Sequence, residues 1–573
     1  MFKSLKKALY IFIITIGKKK IISIILLSFF LIFIELIGIA SFIPVLSVIT
    51  ERNDFIKGKD FFSYFSGIID FNNINIILIF LLFVFIFKNL LVFFITRYLT
   101  FSNIKLSAIL TDKILNIYLN QPYNFFLSNN SSKLVSICRS ELSIVAKSMD
   151  AYVNLFIETF VFFFIVVGLL YFSTKITIFI ILFFLFFAFF YNKIMKKKIY
   201  KSGLDIQFNS IQTQKILTEI FGSIKEIILL NKKNLFLNYF NSYLLNSAKS
   251  QKIFSIFAII PRLWMETMFI GGFVLIVFFY YTSVNNLSEL TNLFGLFAIS
   301  SLRLMPALNR ILSLNQRIIA SRASIELVYS HFNDLKKSQI NKFISHNNRF
   351  VFRKIVFNKI SFKYNNSNQV IKNLNLSIKK GDFICIFGKS GVGKSTFLDI
   401  LLGLTQPDSG TVRVNDKDLD LFRNAWHSQI GYVPQNPYLL DASIKDNITM
   451  IPNDSGVNLK ILKKSLDVSQ LSPFFNDFPQ GIETFVGEKG VRISGGQKQR
   501  ICISRSIYAC PKVLILDEAT SSLDEDSELK ILKMLKKLNL KDKLTVVFIT
   551  HKKSLFSYFN KIYKLDKGKL KLY

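Results

Sequence analysis

Gly388-Lys389-Ser390-Gly391-Val392-Gly393-Lys394-Ser395 is a G-x-x-x-x-G-K-[ST] run, the spacing of a loop that holds nucleotide phosphates. The glycines let successive backbone N–H groups curl around phosphate oxygens. Lys394 supplies a point charge for the β- and γ-phosphates, and Ser395, followed by Thr396, supplies a hydroxyl for Mg2+. Val513-Leu514-Ile515-Leu516-Asp517-Glu518 is an apolar run closing on two acids. Asp517 is placed to hold Mg2+ through water, and Glu518 to polarise the water that attacks in phosphoryl transfer. Alone, that run reads equally as a strand ending in a solvated acidic pair. Between the two lies Ile493-Ser494-Gly495-Gly496-Gln497-Lys498-Gln499-Arg500, a short turn opening a helix whose bare N–H groups suit phosphate. Gln435 follows Tyr432-Val433-Pro434, and His551 follows the run Val546-Val547-Phe548-Ile549. Tyr364, just upstream of the phosphate loop, offers a ring to stack on adenine.

These groups need elements that aim them. Phe383-Ile384-Cys385-Ile386-Phe387 predicts a strand running into the phosphate loop, and Thr396-Phe397-Leu398-Asp399-Ile400-Leu401 a helix leaving it. The pattern from 352 to 573 is α/β. It follows a polar, charged linker over 321–351.

The preceding half is different. The chain has 573 residues, too many for one core, and is 51% hydrophobic with 62 Phe. Six apolar segments, about 21–49, 74–97, 152–173, 176–192, 253–281 and 287–314, are each near the roughly 20 residues that cross a bilayer. The run from Ile21 to Thr50 is too long for a signal-peptide core. Residues 1–20 carry lysines among apolar residues and predict an amphipathic helix on the cytoplasmic surface. Lys3, Lys6, Lys7 and Lys18–Lys20 precede the first span, and Lys193, Lys196, Lys197, Lys198 and Lys201 follow the fourth. Positive-inside counting therefore puts the N-terminus, 98–151, 193–252 and the whole C-terminal half in the cytoplasm. The 98–151 and 193–252 connections read as helical levers toward the nucleotide domain. Gln121-Pro122-Tyr123-Asn124 and Phe221-Gly222-Ser223 are breaks that cap a short transverse helix in each. The formal net charge of +35 fits an anionic cytoplasmic leaflet, and equally a lysine-rich genome that gives the same bias with no functional meaning. A nucleic-acid partner would explain that charge but not six spans. Cys138, Cys385, Cys502 and Cys510 show no C-x-x-C spacing and read as free thiols.

Charges inside the spans are costly and so informative: Glu35, Lys88, Glu158, Arg262, Glu266 and Arg303. Arg262 and Glu266 are four apart and can pair on one helix. Cations at Lys88, Arg262 and Arg303 facing a cavity would suit an anionic substrate.

The motifs, in this order and spacing over 352–573, resemble the ATP-binding cassette (ABC) family. The resemblance implies ATP and Mg2+ as ligands. It makes Gln435 the Q-loop residue, which assists Mg2+ binding with Ser395 and Asp517. Ser494, Gly495, Gly496 and Gln497 become a signature that completes the partner subunit's ATP site, Asp524 the D-loop acid, and His551 the switch histidine. Thr484–Gly490 is similar to the exporter x-loop. Ile493 stands where the family usually has Leu, and Lys552 where it usually has Arg after His551. One cassette and six spans in one chain resemble an exporter-type half-transporter, which works as a homodimer. The implied fold is an all-α six-helix transmembrane domain over 21–320, followed by a cytosolic α/β P-loop NTPase domain.

Three membrane stretches resemble PglK-type lipid-linked oligosaccharide flippases: Phe87-Lys88-Asn89-Leu90-Leu91, Pro261-Arg262-Leu263-Trp264-Met265-Glu266 and Arg303–Ile311. Phe61-Phe62-Ser63-Tyr64-Phe65 is similar to their short outer amphipathic stretch. That resemblance implies an ATP-driven flippase of the inner membrane, with Lys88, Arg262 and Arg303 lining the path of an anionic lipid-linked oligosaccharide or related glycolipid. Alternatives are a multidrug, lipid or peptide exporter and, from another class, a nucleotide-gated channel or regulatory membrane ATPase.

Overall fold

The computed structural model describes residues 2–41, 74–172, 174–281, 287–338, 351–364, 369–451, 456–478 and 480–573. The chain divides into two compact units, 1–121 with 125–340 and 122–124 with 341–573. The Phe61–Phe65 stretch lies outside the described residues.

The first unit is helical. A helix over Phe2–Ile16 turns at Gly17, whose φ of +84° is the left-handed geometry that ends helices on glycine. Its apolar face packs on protein. Ala8, Ile11 and Phe12 are buried against Leu106, Leu110, Ile114 and Val328. Six long helices follow among the described residues: Lys18–Ala40, Ile74–Leu119, Leu142–Phe172, Thr174–Gly222, Lys233–Tyr281 and Leu287–Ala320. Each carries one of the six apolar segments, the first of them as far as Ala40. The two 49-residue helices are about 70 Å long, more than twice the hydrocarbon thickness of a bilayer. Both predicted breaks are followed by short helices, Tyr123–Ser128 and Ile224–Leu229. Lys18–Gly38, Leu78–Leu119 and Ser131–Val167 are long and apolar enough to cross a membrane among the described residues.

Proline shapes the interior of this unit. Pro261 sits inside Lys233–Tyr281. It has no N–H, so the carbonyl of Phe257, four residues earlier, lacks its helical donor. Two other helices supply donors instead. Tyr191 Oη donates to that carbonyl at 2.7 Å and Gln316 Nε2 at 2.8 Å, and the Gln316 amide also meets Tyr191 Oη. A backbone group freed in an apolar setting is thereby satisfied, and three helices are clasped at one point.

The second unit carries two sheets. One is antiparallel, in the order β2-β1-β4-β5: Ile371–Lys379, Lys354–Phe362, Ser409–Val414 and Lys417–Asp418. The other has the order β10-β9-β3-β8-β7-β6 and is parallel except at its β10 edge (β3 Phe383–Phe387, β6 Ile430–Val433, β7 Val513–Asp517, β8 Thr545–Ile549, β9 Lys561–Asp566, β10 Lys569–Leu572). Every residue of β3 and β8 is buried, as expected where a parallel strand is covered on both faces. The registers pair Ile386 with Ile549, Asp517 with Ile549 and Val433 with Leu516. Four strands therefore end together on one edge of the sheet. The loops leaving them begin at Gly388, Pro434, Glu518 and Thr550, so residues far apart in sequence meet there.

Candidate nucleotide site

The phosphate loop leaves β3 as the sequence predicts. Gly391 and Gly393 have φ of +76° and +102°. A Cβ at Gly393 would come within 2.8 Å of Val370, and one at Gly388 within 2.5 Å of the Leu565 carbonyl. The loop is built for bare backbone. The helix Lys394–Leu401 opens with no side-chain cap, leaving first-turn N–H groups facing the loop. Lys394 is buried, with Nζ 2.9 Å from the Gly388 carbonyl and 3.3 Å from that of Lys389. Burial pulls its pKa down, against the nearby charges of Glu518 and Asp517.

Four side chains converge. Lys394 Nζ lies 2.8 Å from His551 Nε2 and 3.7 Å from Glu518 Oε1. His551 Nε2 lies 2.8 Å from Glu518 Oε1, and Gln435 Nε2 donates to Glu518 Oε2 at 2.9 Å. His551 Nε2 cannot serve both neighbours at once. The Lys394 ammonium only donates and requires a lone pair, whereas the Glu518 carboxylate only accepts and requires an N–H. The protonation of this one nitrogen therefore selects its partner. Glu518 has φ of +47°, a left-handed conformation that costs a non-glycine residue on the order of 1 kcal/mol or more. Asp517 beside it is pushed up to about 6, by burial first and by the Glu518 charge second.

Ser395 is exposed at the start of the helix. Thr396 Oγ1 lies 3.2 Å from Tyr364 Oη, and the Tyr364 ring, 42% exposed, packs edge-on against Phe362. Among the described residues no cluster of three or more His, Cys, Asp or Glu forms a dedicated metal cage. Ser395, Asp517 and Gln435 make a sparse hard-oxygen donor set. That set fits Mg2+, which keeps several waters and takes much of its shell from phosphates.

The signature turn stands apart. Ser494 caps the helix Gly495–Tyr508 in a capping box. Its hydroxyl accepts from the Gln497 N–H at 3.2 Å, and Gln497 Oε1 accepts from the Ser494 N–H at 2.9 Å. The Ser494 hydroxyl keeps its own proton free to donate. No hydrogen bond or ion pair joins Ser494–Gln497 to the Lys394 cluster among the described residues. Gly496 instead packs against Leu523 and Ser522. Asp524 caps the helix Glu525–Asp542 by accepting from the Ser527 N–H at 2.9 Å, and hydrogen bonds from the Ser527 side chain and then its backbone hold the Asp524 pKa down. In the x-loop segment Phe485 bridges Ser443.

The helical unit treats its predicted cations differently. Lys88 is buried and pairs with Glu35 at 2.8 Å. Gly38 makes room for it, since a Cβ there would meet Lys88 Cδ at 2.6 Å. Lys88 is thus committed to an interhelical ion pair. Arg262 pairs with Glu266 at 3.0 Å and is 73% exposed. Glu158 pairs with Arg310 at 2.8 Å, a partner that its distance in sequence conceals. Arg303 lies in the helix Leu287–Ala320, and its side chain falls outside the described residues.

Strand-end convergence on a glycine-rich loop defines a P-loop nucleotide-binding unit, here following a long-helix unit. Residues 371–521 match the family model described as ABC transporter, and residues 21–305 the one described as ABC transporter transmembrane region. The chain belongs to the ABC transporter family. Mouse ATP-binding cassette sub-family B member 10, mitochondrial, is 40% identical over 203 residues, 35% of this chain and 28% of that protein. The alpha-hemolysin translocation ATP-binding protein HlyB of Escherichia coli O157:H7 is 38% identical over 216 residues, 37% of this chain and 30% of its own length. The chain thus matches less than a third of the length of either relative. The solved structure of a bacterial Atm1-family ABC exporter with ATP bound superposes at a TM-score of 0.76. The match covers 97% of this chain and 94% of that one at 17% identity, and it shows the same fold.

Proposed function

We propose that this chain is an ATP-driven exporter of the inner membrane, working as a homodimer with its cassette in the cytoplasm. The observation that carries the reading is the meeting of Lys394, Glu518, His551 and Gln435 on one sheet edge, in a chain that also bears long apolar helices. Lys394 and the loop N–H groups bind the β- and γ-phosphates, and Tyr364 stacks on the base. Glu518 accepts a proton from the water that attacks the γ-phosphorus as its bond to the bridging oxygen breaks, giving ADP and phosphate. His551 holds the γ-phosphate through Nε2 and reports its presence to Glu518. Ser395, Asp517 and Gln435 would hold Mg2+, which when bound neutralises charge on the transferring group. The second copy supplies Ser494–Gln497 and Asp524, which the signature's separation from the Lys394 cluster supports.

The favoured cargo is an anionic lipid-linked oligosaccharide or related glycolipid. Lys88, Arg262 and Arg303 are the cations this cargo would meet; Arg262 stays 73% exposed beside its partner Glu266, whereas Lys88 is buried against Glu35 and lends the reading less. Drugs, other lipids and peptides are the alternative cargoes, and the name of the hemolysin-translocating relative favours the last. The test is movement of a fluorescent polyprenyl-pyrophosphate oligosaccharide in proteoliposomes, with and without ATP. ATP-dependent movement that Arg303→Ala abolishes supports this cargo. ATP hydrolysis without movement discards it and leaves the exporter standing.

A further inference from the structure

Glu518 and His551 sit on different loops, and Glu518 holds a strained φ of +47°. Such a conformation persists only where its surroundings fix it. The turn after Glu518 folds back through Ser521 N–H to the Glu518 carbonyl at 3.1 Å, and its next side chain with a hydroxyl is Thr520, which is buried. Thr520 Oγ1 donates to Glu528 Oε1. The other oxygen of the same carboxylate, Oε2, accepts from Lys552 Nζ at 2.7 Å. Lys552 directly follows His551 and is further tied by its N–H to Thr550 Oγ1 at 3.1 Å. Glu528 is 2% exposed. It lies in the first turns of the helix Glu525–Asp542, whose N-terminal dipole favours a carboxylate.

One buried carboxylate thus grips both loops, one oxygen for each. A charge this buried is costly unless fully partnered, and both of its partners lie within two residues of a group that meets at the nucleotide site. Helix packing alone needs no acid at position 528; an apolar residue would fill the space without desolvation.

We infer that Glu528 is a positioning residue for ATP hydrolysis: with Thr520 and Lys552 it fixes the spacing between Glu518 and His551. The inference rests on the hydrolytic reading of those two residues. Glu528 touches no substrate, so its loss leaves nucleotide binding in place and misaligns the water-activating group.

The test uses the full-length protein in proteoliposomes. It measures phosphate release against ATP concentration, binding of a fluorescent ATP analogue, and thermal unfolding. Glu528→Gln and Lys552→Met should each lower kcat about tenfold, with KM and analogue affinity within about twofold. The double variant should fall no further than either single one, and Lys552→Arg, which keeps the charge, should retain turnover. Full kcat in Glu528→Gln, or a parallel fall of kcat, affinity and melting temperature, would overturn the inference. Should Glu528→Gln not fold, Thr520→Val removes one grip with the charge pair intact. A several-fold kcat loss at unchanged affinity in that variant supports the inference, and full kcat overturns it. Glu518→Gln is run beside them. If it retains turnover, the hydrolytic reading itself fails and the inference with it. If it is inactive while the foldable Glu528 or Thr520 variant turns over fully, only the inference fails.

Discussion

Charge is used in opposite ways in the two units. In the cassette, Lys394, Glu518, His551 and Asp517 are crowded together at one sheet edge with mixed hydrogen-bond demands. One nitrogen of His551 is contested by a donor and an acceptor. In the helical unit, charges are settled in closed pairs: Lys88 with Glu35, Arg310 with Glu158, Arg262 with Glu266. The difference follows from solvent. A group that must act on a ligand has to keep unspent hydrogen-bonding capacity, whereas a charge among apolar helices must be matched to be tolerated at all. The pairs at Lys88 and Glu158 accordingly hold helices together, and the cassette cluster is poised for chemistry.

This contrast can be broken at several points. The largest expected effect is Glu518→Gln, which should cut ATP turnover by about 100- to 10,000-fold, as loss of a positioned base does, while leaving the thermal melt close to wild type. Steady-state phosphate release and differential scanning fluorimetry on the same sample check both halves. In the helical unit the order reverses. Glu35→Gln leaves the Lys88 ammonium buried without its counter-charge and should cost about 3 kcal/mol or more. Glu35→Gln with Lys88→Gln should recover much of that. A melting series in detergent reads it, and equal melting for the single and double variants would contradict a closed pair.

Gln316→Leu tests the proline-freed carbonyl. Removing one of the two donors to Phe257, with Tyr191 Oη still bonded to it, should cost about 1 kcal/mol, read as a lowered melting temperature with unchanged nucleotide affinity. Smaller still is a pH effect on the cassette. The Asp517 pKa is raised to about 6. The folded state therefore favours the protonated acid relative to the unfolded chain, and this contribution fades as pH rises through about 6. A Mg2+-holding role needs the carboxylate. Mg2+-dependent ATP affinity should thus be flat above pH 7 and weaken by up to tenfold per unit below about 6. Asp517→Asn should abolish that slope in titrations with the nucleotide analogue.

Much of the cassette was legible because its function is written in short, contiguous runs. The β3–loop–helix unit at 383–401 and the acidic end of β7 are each complete within a few residues. Their convergence needed only the parallel strand order. The breaks at Gln121–Asn124 and Phe221–Ser223 were legible for the same local reason. What stayed hidden depends on partners distant in sequence. Lys88 looked free because Glu35 lies on another helix. Nothing in the sequence around Pro261 names Tyr191 and Gln316, which satisfy the Phe257 carbonyl from two other helices. Glu528 is one of three acids in its helix's first turn, and only the fold sets Thr520 and Lys552 on its two oxygens. Periodicity and motif spacing carry no information about such meetings.

If hydrolysis at the Glu518 site drives movement through the helical unit, transport must stop when hydrolysis does. The most direct measurement is net cargo movement in proteoliposomes under ATP, wild type against Glu518→Gln, with nucleotide binding confirmed in both. ATP-dependent accumulation is expected in wild type and none in the variant despite intact ATP binding. Equal accumulation in the two would contradict a pump and point to a pathway opened by ATP binding alone.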